Sequence, residues 1–84
     1  MRLDKFLKVS RLIKRRTLAK EVCDAGKVQI NTRPAKAGSE VKPGDLLLLD
    51  FGHKKVKIEV LMLLENPRVE QAKELYRILE EEKV

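Results

Sequence analysis

The chain has 84 residues, 43% hydrophobic and 38% charged, with a net charge of +6. A single cysteine, Cys23, excludes an internal disulfide, and a single histidine, His53, leaves no zinc-ligand set, so no cofactor or metal is expected. Apolar runs such as Leu46–Leu49 are far from the roughly 20 residues that span a bilayer.

The opening, MRLDKFLKVS, lacks the apolar heart of a signal peptide and carries Asp4, so a cytoplasmic setting is expected. Leu3, Phe6 and Leu7 fall at helical spacing and predict a short first helix, with Arg2, Lys5 and Lys8 on its other faces. Leu12 and Ile13 form a small apolar anchor between basic clusters. Thr17 stands where an N-cap hydroxyl is wanted, and Leu18, Ala19, Val22 and Cys23 supply the stripe of a second helix. Gly26 ends that helix in the left-handed conformation glycine favours.

Beyond Gly26 the period becomes two. KVQIN predicts a short strand with Val28 and Ile30 on one face. Residues 31–45, with Asn31, Pro34, Gly38, Pro43 and Gly44, read as loop and turns, and Pro43-Gly44 fits the centre of a type II turn. LLLLDF and KKVKIEVLMLL flank GHK and predict a hairpin. Asn66-Pro67 reads as a cap with proline at the first helical position, followed by a last helix with an apolar stripe of Val69, Ala72, Leu75, Tyr76 and Leu79. The expected fold class is α+β: two N-terminal helices on a small, mostly antiparallel sheet, then a C-terminal helix. One domain over residues 1–84 is expected.

Charge is unevenly placed. Residues 1–27 carry net +6, residues 28–58 net +3 and residues 59–84 net −3. A basic front with an acidic tail points to a polyanion as partner. Arg11, Lys14, Arg15 and Arg16 crowd before a helix start whose free N–H groups and dipole already attract phosphate, and Lys20 lies one turn inside. Such crowding costs stability unless an outside anion compensates. Arginine suits the task because its planar fork grips phosphate with two bonds.

The stretches RLDKFL, RLIKRRTLAKEVCDAGKVQIN and AKAGSEVKPGD together resemble the RNA-binding domain named after small-subunit ribosomal protein S-four, the alpha-L motif, over residues 1 to about 51. Among its members the chain resembles the short stand-alone proteins of the heat-shock protein fifteen family, and most of all their ribosome-associated quality-control branch. The resemblance implies a non-enzymatic factor that binds 23S rRNA and P-site peptidyl-tRNA on obstructed large ribosomal subunits. There it would assist a partner protein that adds alanine tails. It implies RNA contacts by Arg2, Arg11, Arg15 and Arg16, with Lys14, Thr17 and Lys20 beside them and Asn31 and Lys36 along the same groove. The chain departs from the pattern at Thr32, Arg33 and Pro34, where a small turn former usually follows the asparagine.

Other classes remain as alternatives: a heat-shock-fifteen-type rescue factor, a constitutive ribosomal or assembly protein, or a DNA-binding regulator. The chain has no room for the catalytic domains that this motif often accompanies, and a monomer is expected. Asp4 is expected to cap or to pair with a nearby arginine. Cys23, Phe6 and Tyr76 are expected in the core, His53 in a solvated loop, and the glutamates at 80–82 on an exposed helix face.

Overall fold

The computed structural model describes residues 1–83; Val84, the last residue of the expected domain, lies outside them. Helix α1 spans Leu3–Val9 and helix α2 spans Arg16–Asp24. Strands β1 (Val28–Ile30), β2 (Arg33–Pro34), β3 (Leu46–Asp50) and β4 (Lys54–Val60) follow, then a 3-10 helix over Val69–Leu75 and strand β5 (Tyr76–Lys83). All strand pairs are antiparallel, in the spatial order β2-β1-β3-β4-β5.

The core lies between the helix pair and one face of the sheet. Leu3, Phe6 and Leu7 on α1 and Ala19 and Cys23 on α2 are buried with Val28, Leu47, Leu49, Val56, Ile58 and Val60. The i, i+3, i+4 spacing of the helical set and the period of two in the strands are what bring these residues to one interface. Cys23 is a small apolar filler there; burial, Asp4 and Asp24 push its thiol up to about 11.

Gly26 closes α2 as anticipated. Its φ is +78°, its N–H bonds to the Cys23 carbonyl at 3.0 Å, and the Lys27 N–H reaches the Val22 carbonyl at 3.2 Å, which is a Schellman motif. The Pro43-Gly44 turn is closed by Asp45 N–H to the Lys42 carbonyl at 3.1 Å, with Gly44 at φ +94°.

Two helix starts differ from expectation. Helix α2 begins at Arg16 with Arg15 as N-cap, and no side chain caps it; Thr17 is already its second residue. The 3-10 helix begins at Val69 after Arg68, two residues beyond Asn66-Pro67, and the Arg68 N–H donates to Gln71 Oε1 at 2.9 Å. The last helix is also shorter than its apolar stripe implied. It ends at Leu75, and residues 76–83 pair with β4 instead. Cross-strand chemistry outweighs helix propensity there: Glu82 faces Lys55, Glu80 faces Lys57 and Ile78 faces Ile58. The two-residue strand β2 forms within the expected loop, through Asn31-Thr32 at φ +51° and +72°, the signature of a type I′ hairpin turn.

Candidate nucleic-acid interface

Asp4 is the organising group. Only 4% of its side chain is exposed, yet it touches two arginines that are about half exposed, Arg2 at 53% and Arg16 at 49%. Arg2 Nε donates to Oδ1 at 3.2 Å, Arg16 Nε donates to Oδ2 at 3.4 Å, and the Lys5 N–H donates to Oδ1 at 2.8 Å. Burial raises the proton affinity of this carboxyl, but the Arg16 hydrogen bond and charge, the Lys5 N–H and Arg2 together outweigh it. The group therefore stays below the usual aspartate range and ionised. Arg2 binds Asp4 through both Nε and Nη2, the latter donating to Oδ2 at 3.5 Å, whereas Arg16 uses its Nε alone and keeps both terminal nitrogens off the carboxylate.

The loop at residues 36–39 wraps the start of α1 beside this pair. The Ser39 and Ala37 carbonyls accept the N–H groups of Leu3 (2.8 Å) and Asp4 (3.1 Å). Lys36 N–H donates to Ser39 Oγ at 2.9 Å, and the Arg2 guanidinium lies 3.8 Å from where a Cβ at Gly38 would stand. Lys36, itself exposed, is thus carried on the loop that borders Arg2. On α2, Arg16 and Lys20 share a face at i, i+4 spacing, and Arg15, Thr17 and Lys20 are all exposed.

The remaining expected residues sit elsewhere. Arg11 and Lys14, joined by Lys8, line a cavity of about 230 Å³ against Glu65–Pro67. Lys8 was not among the expected residues, although its i, i+3 spacing to Arg11 was a readable signal. Arg11 adopts φ +62°, as the left-handed residue after α1, with its N–H on the Lys8 carbonyl at 3.0 Å. Asn31 is held by the fold: its Nδ2 donates to Asp45 Oδ1 at 3.0 Å, and its Oδ1 accepts the Leu46 N–H at 2.9 Å. It lines a separate cavity with Arg33 and Lys42, so its amide pins the turn while the cations around it face out. Among the described residues no group of His, Cys, Asp and Glu could hold a metal, and no helix is long and apolar enough to cross a membrane.

The fold defines an RNA-binding domain of the S4 type. The chain belongs to the S4 domain family, whose sequence profile matches residues 1–47. It is 60% identical over 84 residues to the RQC P-site tRNA stabilizing factor of Bacillus subtilis (strain 168), covering all of this chain and 98% of that protein. It is 44% identical to the protein of the same name from Streptococcus pneumoniae (strain ATCC BAA-255 / R6), covering all of this chain and 96% of that one. Among solved structures it is similar to the trimeric heat shock protein 15 of Vibrio cholerae, with a TM-score of 0.86 and 34% identity over 93% of this chain and 80% of that one.

Proposed function

We propose that this protein is a non-enzymatic factor of ribosome-associated quality control, acting in the cytoplasm on large ribosomal subunits that carry an obstructed peptidyl-tRNA. It binds 23S rRNA and the P-site tRNA there and assists the partner that extends the stalled chain with alanine. The observation that carries this reading is the Asp4-anchored pair: a buried carboxylate fixes two half-exposed arginines, with both terminal nitrogens of Arg16 and Nη1 of Arg2 left off Asp4 for phosphate. Arg15, Lys14, Arg11 and Lys20 extend the positive field along the backbone of folded RNA, and Thr17 adds a hydroxyl. Lys36 lies on the adjoining loop and Asn31 secures the far turn. The uncapped start of α2 adds free N–H groups. The names of the two bacterial relatives support the tRNA and quality-control assignment.

Co-sedimentation tests this. The protein is expected to travel with free large subunits rather than with every ribosome. Arg2→Ala and Arg16→Ala are each expected to weaken that association without unfolding the domain. If both variants sediment with large subunits as well as the parent does, the rim is not the binding surface.

A further inference from the structure

The helices do not cover the whole sheet. A groove of about 400 Å³ opens between the α1–α2 junction (Arg11, Leu12) and the helix-side face of β4–β5 (Val56, Tyr76, Ile78). Its far end is Phe51, His53 and Lys54, so two cations, Arg11 and Lys54, and an imidazole rim an apolar, aromatic floor. Phe51 and Tyr76 are half-buried and Ile78 is 51% exposed. Glu81 also lines the groove, but Lys54 Nζ holds it at 3.2 Å while lying 5.9 Å from the centre of the Phe51 ring. Except for Arg11 and Leu12, these residues lie outside the part of the chain that the S4 domain profile matches.

Arg11 is a second, independent observation. A non-glycine residue in the left-handed region costs about 1–2 kcal/mol, and glycine would close α1 there without strain. Among the described residues nothing pairs with its guanidinium. The strain therefore sits on an unpaired arginine at the lip of an aromatic groove, where its guanidinium is available to an anion.

From these features we infer that the groove is a nucleotide pocket: it takes one unpaired base of the bound RNA against Phe51, Tyr76 and Ile78, with the adjoining phosphate on Arg11. The chemistry selects this occupant. A purely apolar ligand has no use for the Arg11 and Lys54 charges, and a lone phosphate has no use for the aromatic floor. A nucleotide presents both a flat π-face and an anion. The carboxylate of Glu81 and the ammonium of Lys54 face the base edge, where they can accept from an exocyclic amine and donate to a ring acceptor. Arg11 also lines the Lys8–Lys14 cavity, so the pocket is continuous with the basic surface.

This inference rests on the RNA-binding reading above, and one titration separates the two. Tyr76 is the chain's only tyrosine and there is no tryptophan, so its fluorescence reports the groove directly. The protein is titrated with an RNA hairpin bearing one bulged adenosine and with the same stem fully paired. The bulged hairpin is expected to bind roughly five- to 150-fold tighter, the range one base–aromatic stack provides, and to quench Tyr76. Ile78→Glu should abolish that preference and quenching while the paired stem still binds. Leu79→Glu, with the same charge change on the same strand outside the groove, should keep both. Arg11→Gly should lose the preference yet melt no lower than the parent. Equal binding of the two hairpins without quenching would overturn the pocket and leave the RNA-binding reading standing. No binding of either would overturn both.

Discussion

Asp4→Asn sets two physical accounts of the interface against each other. The substitution removes a negative charge and raises the net charge from +6 to +7. If affinity for RNA followed charge alone, the variant would bind more tightly. If the buried carboxylate instead positions Arg2 and Arg16, the variant must bind less tightly. The amide still offers an oxygen to the Lys5 N–H, but it loses the charge that holds two guanidinium groups at 3.2 and 3.4 Å. Each arginine must then be immobilised at the moment of binding, at about 0.5–1.5 kcal/mol per side chain. For two arginines that is about 1–3 kcal/mol, or roughly five- to 150-fold in dissociation constant. The assay is equilibrium binding to purified large subunits at one fixed salt concentration. Circular dichroism melts accompany it, since lost charge-assisted bonds should also cost about 1–3 kcal/mol of stability. Binding as tight as the parent's, or tighter, in a folded variant would refute the positioning argument. Acid provides a second readout. Because the folded-state pKa of Asp4 is depressed, its stabilisation is present above its ordinary value of 3.8 and is lost as pH falls through the lower, folded value. The parent should therefore lose stability below about pH 4 more steeply than Asp4→Asn does.

Further expectations concern salt, the thiol and one turn. The log–log plot of affinity against salt should be steep and should flatten by about 0.7–0.9 for each phosphate contact removed, as in Arg16→Ala; a flat parent plot would point to protein contacts instead. Lys20→Ala should weaken subunit binding less than Arg16→Ala, since an ammonium is a point charge without a bidentate fork. Cys23, fully buried with its thiol pushed up to about 11, should resist a thiol reagent at pH 8 until denaturant is added; rapid native labelling would contradict its place in the core. Thr32 is β-branched at φ +72°, so Thr32→Gly should raise stability by up to about 1 kcal/mol, roughly 4–8 °C in Tm. An unchanged or lower Tm would mean the turn carries no strain.

The parts of the fold with local causes were legible in the sequence. The Leu3–Phe6–Leu7 stripe, the glycine stop at Gly26, the Pro43-Gly44 turn, the β3–β4 hairpin and the alternation of Val56, Ile58 and Val60 each depend on residues close in the chain. What escaped depends on partners far away. Residues 76–83 have good helix formers, and it is the lysines and apolar residues of β4 opposite them that make them a strand. Thr17 has the right side chain for a cap, but the backbone enters the helix two residues earlier. In the candidate site, the clustering of cations around α2 could be read, as could Asp4's pairing with an arginine. That one carboxylate holds two arginines 14 residues apart could not, because it requires α1 and α2 to meet. For Asn31 the family resemblance implied a place along the groove, and what it could not show is that the amide is committed to Asp45 and Leu46.

Strand β5 closes one side of the sheet with an outer edge that no other strand covers among the described residues. Bare strands of this length invite a second copy to continue the ladder, which is how fibrillar stacks begin. Two such strands meeting head to tail about Glu81 would set Glu80 of each against Glu82 of the other, carboxylate on carboxylate. The bulge opposite Lys57 and Ile58 further spoils the flatness such stacking needs. The acidic end that balances the basic front thereby also guards the molecule against lateral growth, even where many copies crowd onto one polymer.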